Sequence, residues 1–284
     1  MNMTSADDRA LVDLVRRVDH DRFLCALFAP RDRRAALFAL IAFNHEIARV
    51  RETVSEPLLG RIRLQWWREA IQELYDGTPR RHEVVTALAL ALECHALSRR
   101  HFDALIDARE RDLDDQPPPD MAALEAYAEA TGGPLGALMA EALGAGAVEA
   151  AVTAARHAAV AFALVGLMRA VPFHARQSRL YIPADRLAAH GLSPADVLAG
   201  RFVAPLGAVI GEVLIHVDTY VADVRRSSSN VLRSVRAALL PATLATIYAA
   251  RLRALDHDPY DPRLSIGPLG RQLRLWTASL IGRV

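Results

Sequence analysis

Lysine is missing from this chain, and all 34 of its basic residues are arginine. With the abundance of alanine, this is the mark of a GC-rich coding sequence rather than of a demand for bidentate recognition. Net charge is scarce too, at +1, which argues against a nucleic-acid binder driven by phosphate contacts. Cys25 and Cys94 make no C-x-x-C pattern and no disulfide framework, so a reducing compartment is expected. The longest uncharged run, Ala237–Ala250, is interrupted by Pro241 and is too short to span a bilayer. Met1–Asp8 is polar and carries acids, unlike a secretory signal or an Arg-rich transit peptide. The expectation is a cytoplasmic protein, at most peripheral on the inner membrane, with no nucleic acid among its partners.

What is present is apolar residue at helical spacing. Hydrophobic residues make up 52% of 284 positions, ample for a packed core. No segment alternates as a strand does, and the chain predicts about ten helices. The first covers Ala6–Ala29 and ends at Pro30, because the residue before a proline disfavours helix. Pro57–Asp76 starts with a first-turn proline, carries a core stripe of Leu58, Ile62, Leu64, Trp66 and Ile71, and stops at Gly77. Glu83–Leu113 reads as one or two helices with a break near Ser98. Leu113–Asp120 is an acidic, proline-rich surface loop that a domain linker would resemble, but the pattern is alike on both sides, so the expectation is one domain over 1–284. Met121–Leu143 holds Gly132, Gly133 and Pro134, which imply a kink or a close backbone approach. Val148–Val171 is the most apolar helix and is expected at the centre. Pro172 breaks it, and His174–Pro183 reads as an Arg-rich loop before Ala184–Ala189. Pro205–Ser227, Val231–Leu255 and Gly267–Ile281 complete the set, with Ser227–Ser229 as a loop.

The organising stretch is Leu37–Val54. Leu37, Leu40, Ile41, Ile47, Val50 and Val54 recur at offsets of three, four and seven residues. On that helix Asn44, Ala48 and Glu52 would share one face at successive turns. Asn44, His45 and Glu46 are either a polar stripe satisfied by neighbouring helices or part of a working surface. Trp66 and Trp67 are adjacent, so they cannot both face one core. Arg49, Arg51, Arg61, Arg63 and Arg68 are either a solvated face or a patch for an anionic ligand or anionic lipid.

These residues carry a resemblance. Ala42-Phe43 followed by a polar turn is similar to the first metal-binding helix of the squalene/phytoene synthase family, which reads roughly Ala-Phe-Cys-Arg-x-x-Asp-Asp-x-x-Asp-Glu. The family's second motif, Asn-x-x-Arg-Asp-x-x-Glu-Asp followed by Gly-Arg-x-Tyr-x-Pro, is matched by Gly166–His174 and Ser178–Pro183. The resemblance runs from Asp21 to about Ser227, and it implies an all-α isoprenoid-synthase-type bundle with a central cavity. In the family, paired aspartates facing each other hold Mg²⁺ on a prenyl diphosphate. Here Ala48 stands at the first aspartate, Ala170 and His174 at the second pair, and Gly166 at the asparagine; Arg169, Arg179, Tyr181 and Pro183 match. Only Glu52 still offers a carboxylate at those positions. The resemblance thus implies a pseudoenzyme, with Mg²⁺ as cofactor only if activity survives.

Within the family the chain looks most like a non-catalytic branch that supports assembly of respiratory complex I (NADH:ubiquinone oxidoreductase). Ala42–Arg51, Gly60–Arg68 and the Arg169-Ala170-x-Pro172-x-His174 run carry that likeness. It implies binding rather than catalysis, through Asn44, His45, Glu46, Arg49, Glu52, Arg169, His174, Arg179 and Tyr181. The expected partners are a complex I subunit or assembly intermediate, an isoprenoid or quinone lipid in the apolar bundle, and a membrane surface. The alternatives are an active prenyltransferase condensing prenyl diphosphates, and a lipid carrier.

Overall fold

The computed structural model describes residues 5–114, 116–228 and 233–281. Its elements are α-helical or 3-10, and no strand occurs among the described residues. The first expected helix is two. α1 (Ser5–Val18) ends where Asp19 takes an extended φ of −143° and accepts a hydrogen bond from the Arg22 amide at 3.0 Å, capping α2 (His20–Ala26). A short polar carboxylate beside its own backbone competes with helix continuation, which periodicity does not register.

α3 (Arg34–Ala48) carries the organising stretch but ends earlier than its apolar spacing suggests. Val50–Thr53 is a separate 3-10 turn in which the Glu52 amide donates to the Arg49 carbonyl at 3.0 Å and the Thr53 hydroxyl to the Val50 carbonyl at 3.0 Å. Glu52 therefore does not share a helical face with Asn44 and Ala48. β-Branched Val50, Thr53 and Val54 weaken a continuing helix. α4 (Pro57–Tyr75) opens with proline in its first turn, as expected. Of its expected stripe, Leu64 and Ile71 are buried and Trp66 is half-exposed, but Leu58 and Ile62 are exposed; Gly60, Trp67, Ala70 and Leu74 complete the buried face instead.

α5 (Glu83–Cys94) and α6 (Arg99–Ala108) divide before Ser98, and a 3-10 turn, Arg109–Leu113, follows. The Ser98 amide and hydroxyl donate to buried Glu141 at 2.8 and 2.6 Å instead of capping α6. The proline-rich loop is tied down, since the Ala184 amide donates to the Pro118 carbonyl at 2.9 Å. Beyond it, Asp120 caps α7 (Met121–Ala142), which keeps Pro134 inside its span.

α7 packs along α8 (Glu149–Arg169), and its glycines are there for close approach. A Cβ at Gly132 would stand 3.1 Å from the Ala159 carbonyl oxygen, and one at Gly136 would collide with the Ala155 carbonyl. α8 is buried between α7, α12 (Ala204–Ser228) and α13 (Arg236–Arg253), and α14 (Pro268–Ile281) covers α13. Both α8 and α12 have the length and hydropathy to cross a membrane, but α8 is the core helix of this bundle.

Three short helices lie between α8 and α12. Pro172, at a position whose N–H needs no partner, starts α9 (Val171–Arg176), so His174 is helical rather than in a loop. α10 (Ala184–Ala189) and α11 (Pro194–Leu198) follow, the latter with a capping box from Ser193 and Asp196. Ser227 and Ser228 belong to α12 rather than to a loop; Ser229 and the expected start of the next helix at Val231 lie outside the described residues.

The buried side chains form one continuous cluster. Within it Phe43 of α3 stands edge-on to Trp67 and Phe102, with centroids 5.4 and 5.3 Å apart. α2 joins the two helices that carry the motif positions. Phe23 stacks on Phe38 of α3 at 5.5 Å, and the Arg22 guanidinium lies 4.8 Å over the Phe162 ring of α8.

Candidate functional site

The expected site residues fall into separate polar sets that share no hydrogen bond or ion pair among the described residues. The first surrounds the end of α3. Asn44 is buried, and its Oδ1 accepts no hydrogen bond. His45 is half-buried, and burial holds its pKa below the ordinary imidazole value. Glu46 and Arg49, one turn apart, pair at 3.6 Å. Both line a groove of about 350 Å³ whose far wall is Trp66, Trp67 and His82. Trp67 is buried and Trp66 stands half-exposed at the groove, which settles how two adjacent indoles are accommodated.

A second set gathers on Asp21. Tyr248 donates its hydroxyl to Asp21 Oδ2 at 2.6 Å, and Arg271 of α14 donates to Oδ1 at 2.6 Å. Arg169, at the end of α8, stands 3.8 Å from the same carboxylate with its guanidinium 3.3 Å over the Tyr248 ring. Burial and the Asp21 charge push the Tyr248 phenol up to about 12 against the opposing Arg169 cation, so it is a protonated donor at neutral pH. Arg169 was expected from sequence. Asp21, Tyr248 and Arg271 were not, because they come from three distant segments that no spacing rule connects.

The third set is built on Asp112, in the 3-10 turn after α6. Its Oδ1 accepts from the hydroxyls of Tyr127 at 2.5 Å and Tyr181 at 3.0 Å, and its Oδ2 accepts from Arg109 at 3.2 Å. Arg179, which is buried, donates to the Asp112 carbonyl oxygen at 3.2 Å. Burial, then the Asp112 charge, raises the Tyr181 phenol to about 12 and the Tyr127 phenol well above its usual value. His174 packs on Tyr181 with centroids 4.7 Å apart, and its Nδ1 is buried without a partner. Burial, reinforced by Arg179 and opposed by Asp112, lowers its pKa to about 4, so it is a neutral ring. An open-sided cavity of about 390 Å³ adjoins this set, walled by Tyr127, Tyr181, Arg179 and Pro117–Pro119. Sequence reasoning gave His174, Arg179 and Tyr181 but missed Asp112, the group on which they converge. The acidic run after Leu105 was its only signal.

This donor set does not fit Mg²⁺. A hard cation takes several oxygen ligands, chiefly carboxylates. Ala48 and Ala170 offer none, and His174 presents nitrogen. Glu52 lies in a turn beyond the helix, and Glu46 is paired with Arg49. Asp21 and Asp112 are engaged by arginine and tyrosine. Among the described residues, no three His, Cys, Asp or Glu side chains gather where they could hold a metal ion.

An all-α bundle with motif positions at the ends of α3 and α8 defines the isoprenoid-synthase fold, and solved structures agree. A dehydrosqualene synthase superposes with a TM-score of 0.82 at 14% identity, over 97% of this chain and 96% of that one. The squalene synthase of Alicyclobacillus acidocaldarius gives 0.79 at 19% identity, over 90% and 96%.

Residues 15–274 match the family described as squalene/phytoene synthase, and the chain belongs to it. Its sequence is 31% identical over 280 residues to the Bos taurus protein named NADH dehydrogenase (ubiquinone) complex I, assembly factor 6, covering 96% of this chain and 83% of that protein. The Mus musculus protein of the same name is 32% identical over 273 residues, covering 93% and 80%. A presqualene diphosphate synthase of Rhodopseudomonas palustris is 28% identical over 169 residues, 59% of each chain.

Proposed function

We propose that this chain supports the assembly of respiratory complex I as a non-catalytic member of its family. The carrying observation is the pairing of near-full-length similarity to complex I assembly factors with a motif that no longer converges carboxylates. A prenyl diphosphate needs its departing pyrophosphate neutralised, which the enzymes of such a fold achieve with metal ions. Ala48, Ala170 and His174 remove that capacity, while Asp21 and Asp112 compensate the nearby arginines from within the protein. The same helices remain folded and present polar and aromatic surface, so the reading is a scaffold kept for binding. Its partners are a complex I subunit or assembly intermediate and an isoprenoid or quinone lipid, and its working place is the cytoplasmic side of the inner membrane.

Deleting the gene in its own organism tests this. Assembled NADH:ubiquinone oxidoreductase, read on native gels and as NADH:quinone activity, is expected to fall while squalene and carotenoid products stay unchanged. Loss of isoprenoid products with intact complex I would instead establish the prenyltransferase alternative.

A further inference from the structure

We propose that the exposed N-terminal half of α4 docks the protein on an anionic lipid bilayer. Leu58, Leu59 and Ile62 are 60%, 45% and 57% exposed, the largest group of exposed apolar side chains on one helix among the described residues. With Trp66 at the groove edge, they occupy a stripe about 100° wide on the helix surface. Arg61 flanks the stripe on one side and Arg63 on the other.

The charge pattern selects the occupant. Arg61 has no ion pair or hydrogen bond among the described residues, and Arg63 uses one nitrogen to donate to the Thr53 hydroxyl at 2.5 Å. The acids nearest on the helix side are already taken: Glu69 by Arg80 at 2.9 Å, and Glu110 and Asp107 by Arg68 at 2.6 and 2.7 Å. Glu52 and Glu56 are exposed and precede the stripe, which keeps the net attraction modest. Apolar residues bracketed by cations are the pattern of a helix lying in a bilayer interface, with the stripe at the acyl boundary and arginines at the phosphates. A shallow groove of about 480 Å³ lies beside Ile62 and Trp66, with Arg61 and Arg68 on its rim and the arginine-paired Glu69 and Glu110 along its far side. The inference adds a surface to the membrane-side role proposed above, and it stands or falls on lipid binding whether or not complex I depends on the chain.

The test is flotation of the full chain with phosphatidylcholine vesicles, with and without phosphatidylglycerol. Binding is expected to require the anionic lipid and to fall with added salt. Leu58→Ser with Ile62→Ser, and separately Arg61→Glu with Arg63→Glu, should each lower the bound fraction several-fold. Their circular dichroism should stay unchanged and their melting temperature nearly so, because the replaced side chains are exposed and only Arg63 gives up a hydrogen bond, itself at the surface. Leu273→Ser with Trp276→Ser, the exposed apolar pair on α14, is the control and should bind as the unmodified protein does. Equal binding to neutral and anionic vesicles, or α4 variants that bind normally, would overturn the proposal. So would a self-association in sedimentation that only the α4 variants abolish, since the stripe would then be a protein contact.

Discussion

Tyr181 donates its hydroxyl to Asp112, 69 residues earlier in the chain, at 3.0 Å. That bond fastens the segment after α9 to the turn after α6, and Tyr127 and Arg109 complete the ring around the same carboxylate. Asp112→Asn would leave the Arg109 cation buried without a counter-charge, a class of change that costs about 3–5 kcal/mol. Tyr181→Phe removes one hydrogen bond from a carboxylate that keeps two others, a loss of about 1–2 kcal/mol. Urea denaturation of both variants should give that order. Equal destabilisation would mean that the carboxylate is not the hub.

The neutral His174 ring makes stability depend on acidity. Its folded pKa of about 4 lies below the ordinary imidazole value of 6.5, so between these values the unfolded chain binds the extra proton and the folded one does not. Stability is therefore intact above the unfolded pKa and is lost as the pH falls toward the folded one. At about 1.4 kcal/mol per pH unit, the loss is at most roughly 3 kcal/mol. His174→Gln should flatten the stability profile across this window and leave it unchanged above it. A parallel decline in variant and unmodified protein would refute the assignment.

The α7–α8 contact gives a sharp pair of substitutions. Gly136→Ala places a methyl against the Ala155 carbonyl and should destabilise by about 2 kcal/mol or more, because helix backbones must separate. Gly166→Ala, in α8, meets nothing within 4 Å and should be neutral or stabilising by about 0.5–1 kcal/mol. Thermal melts of the two variants decide the matter.

Much of this was legible from residue spacing. Helix existence, the stop at Gly77, the break at Pro172 and the close approach at Gly132–Gly136 each rest on a local rule of backbone chemistry. The failures share a cause as well. α1 gives way to α2 at Asp19, whose side chain caps the second helix, and α3 gives way to a 3-10 turn that Thr53 closes; neither change registers in periodicity. Leu58 and Ile62 have core-like character but face outward, since no neighbouring element covers them. Family resemblance placed the motif positions; it did not place Asp21 and Asp112, whose partners are assembled only by the tertiary fold.

Restoring carboxylates is the direct test of what the motif has lost. Ala48→Asp, Ala170→Asp and His174→Asp together should introduce Mg²⁺ binding measurable by calorimetry, absent from the unmodified protein. Glu52 lies beyond α3, so the affinity should stay weak. Condensation of farnesyl or geranylgeranyl diphosphate by the unmodified protein, above a heat-killed control, would refute the pseudoenzyme reading outright.

The separation of the polar sets carries its own consequence. Glu46 pairs with Arg49 beside Trp66 and Trp67, whereas Arg179 is buried against the Asp112 backbone, and no described partner is common to both. Substitutions without a shared partner add to within about 0.5 kcal/mol, while those in one network do not. Glu46→Ala loses a partly exposed ion pair, worth about 0.2–1 kcal/mol. Arg179→Ala leaves a carbonyl and a hole beside Tyr181 and should cost about 1–3 kcal/mol. The double variant's loss in denaturation is expected to equal the sum of the two. The same arithmetic applies to rescue of NADH:quinone activity in the deletion strain. A Glu46→Ala protein that keeps its melting temperature yet fails to rescue would place a partner at the α3–α4 groove, and Arg179→Ala would then act only in proportion to its instability. Coupling well above that limit would show that the two sets are joined and that partner binding reads them as one surface.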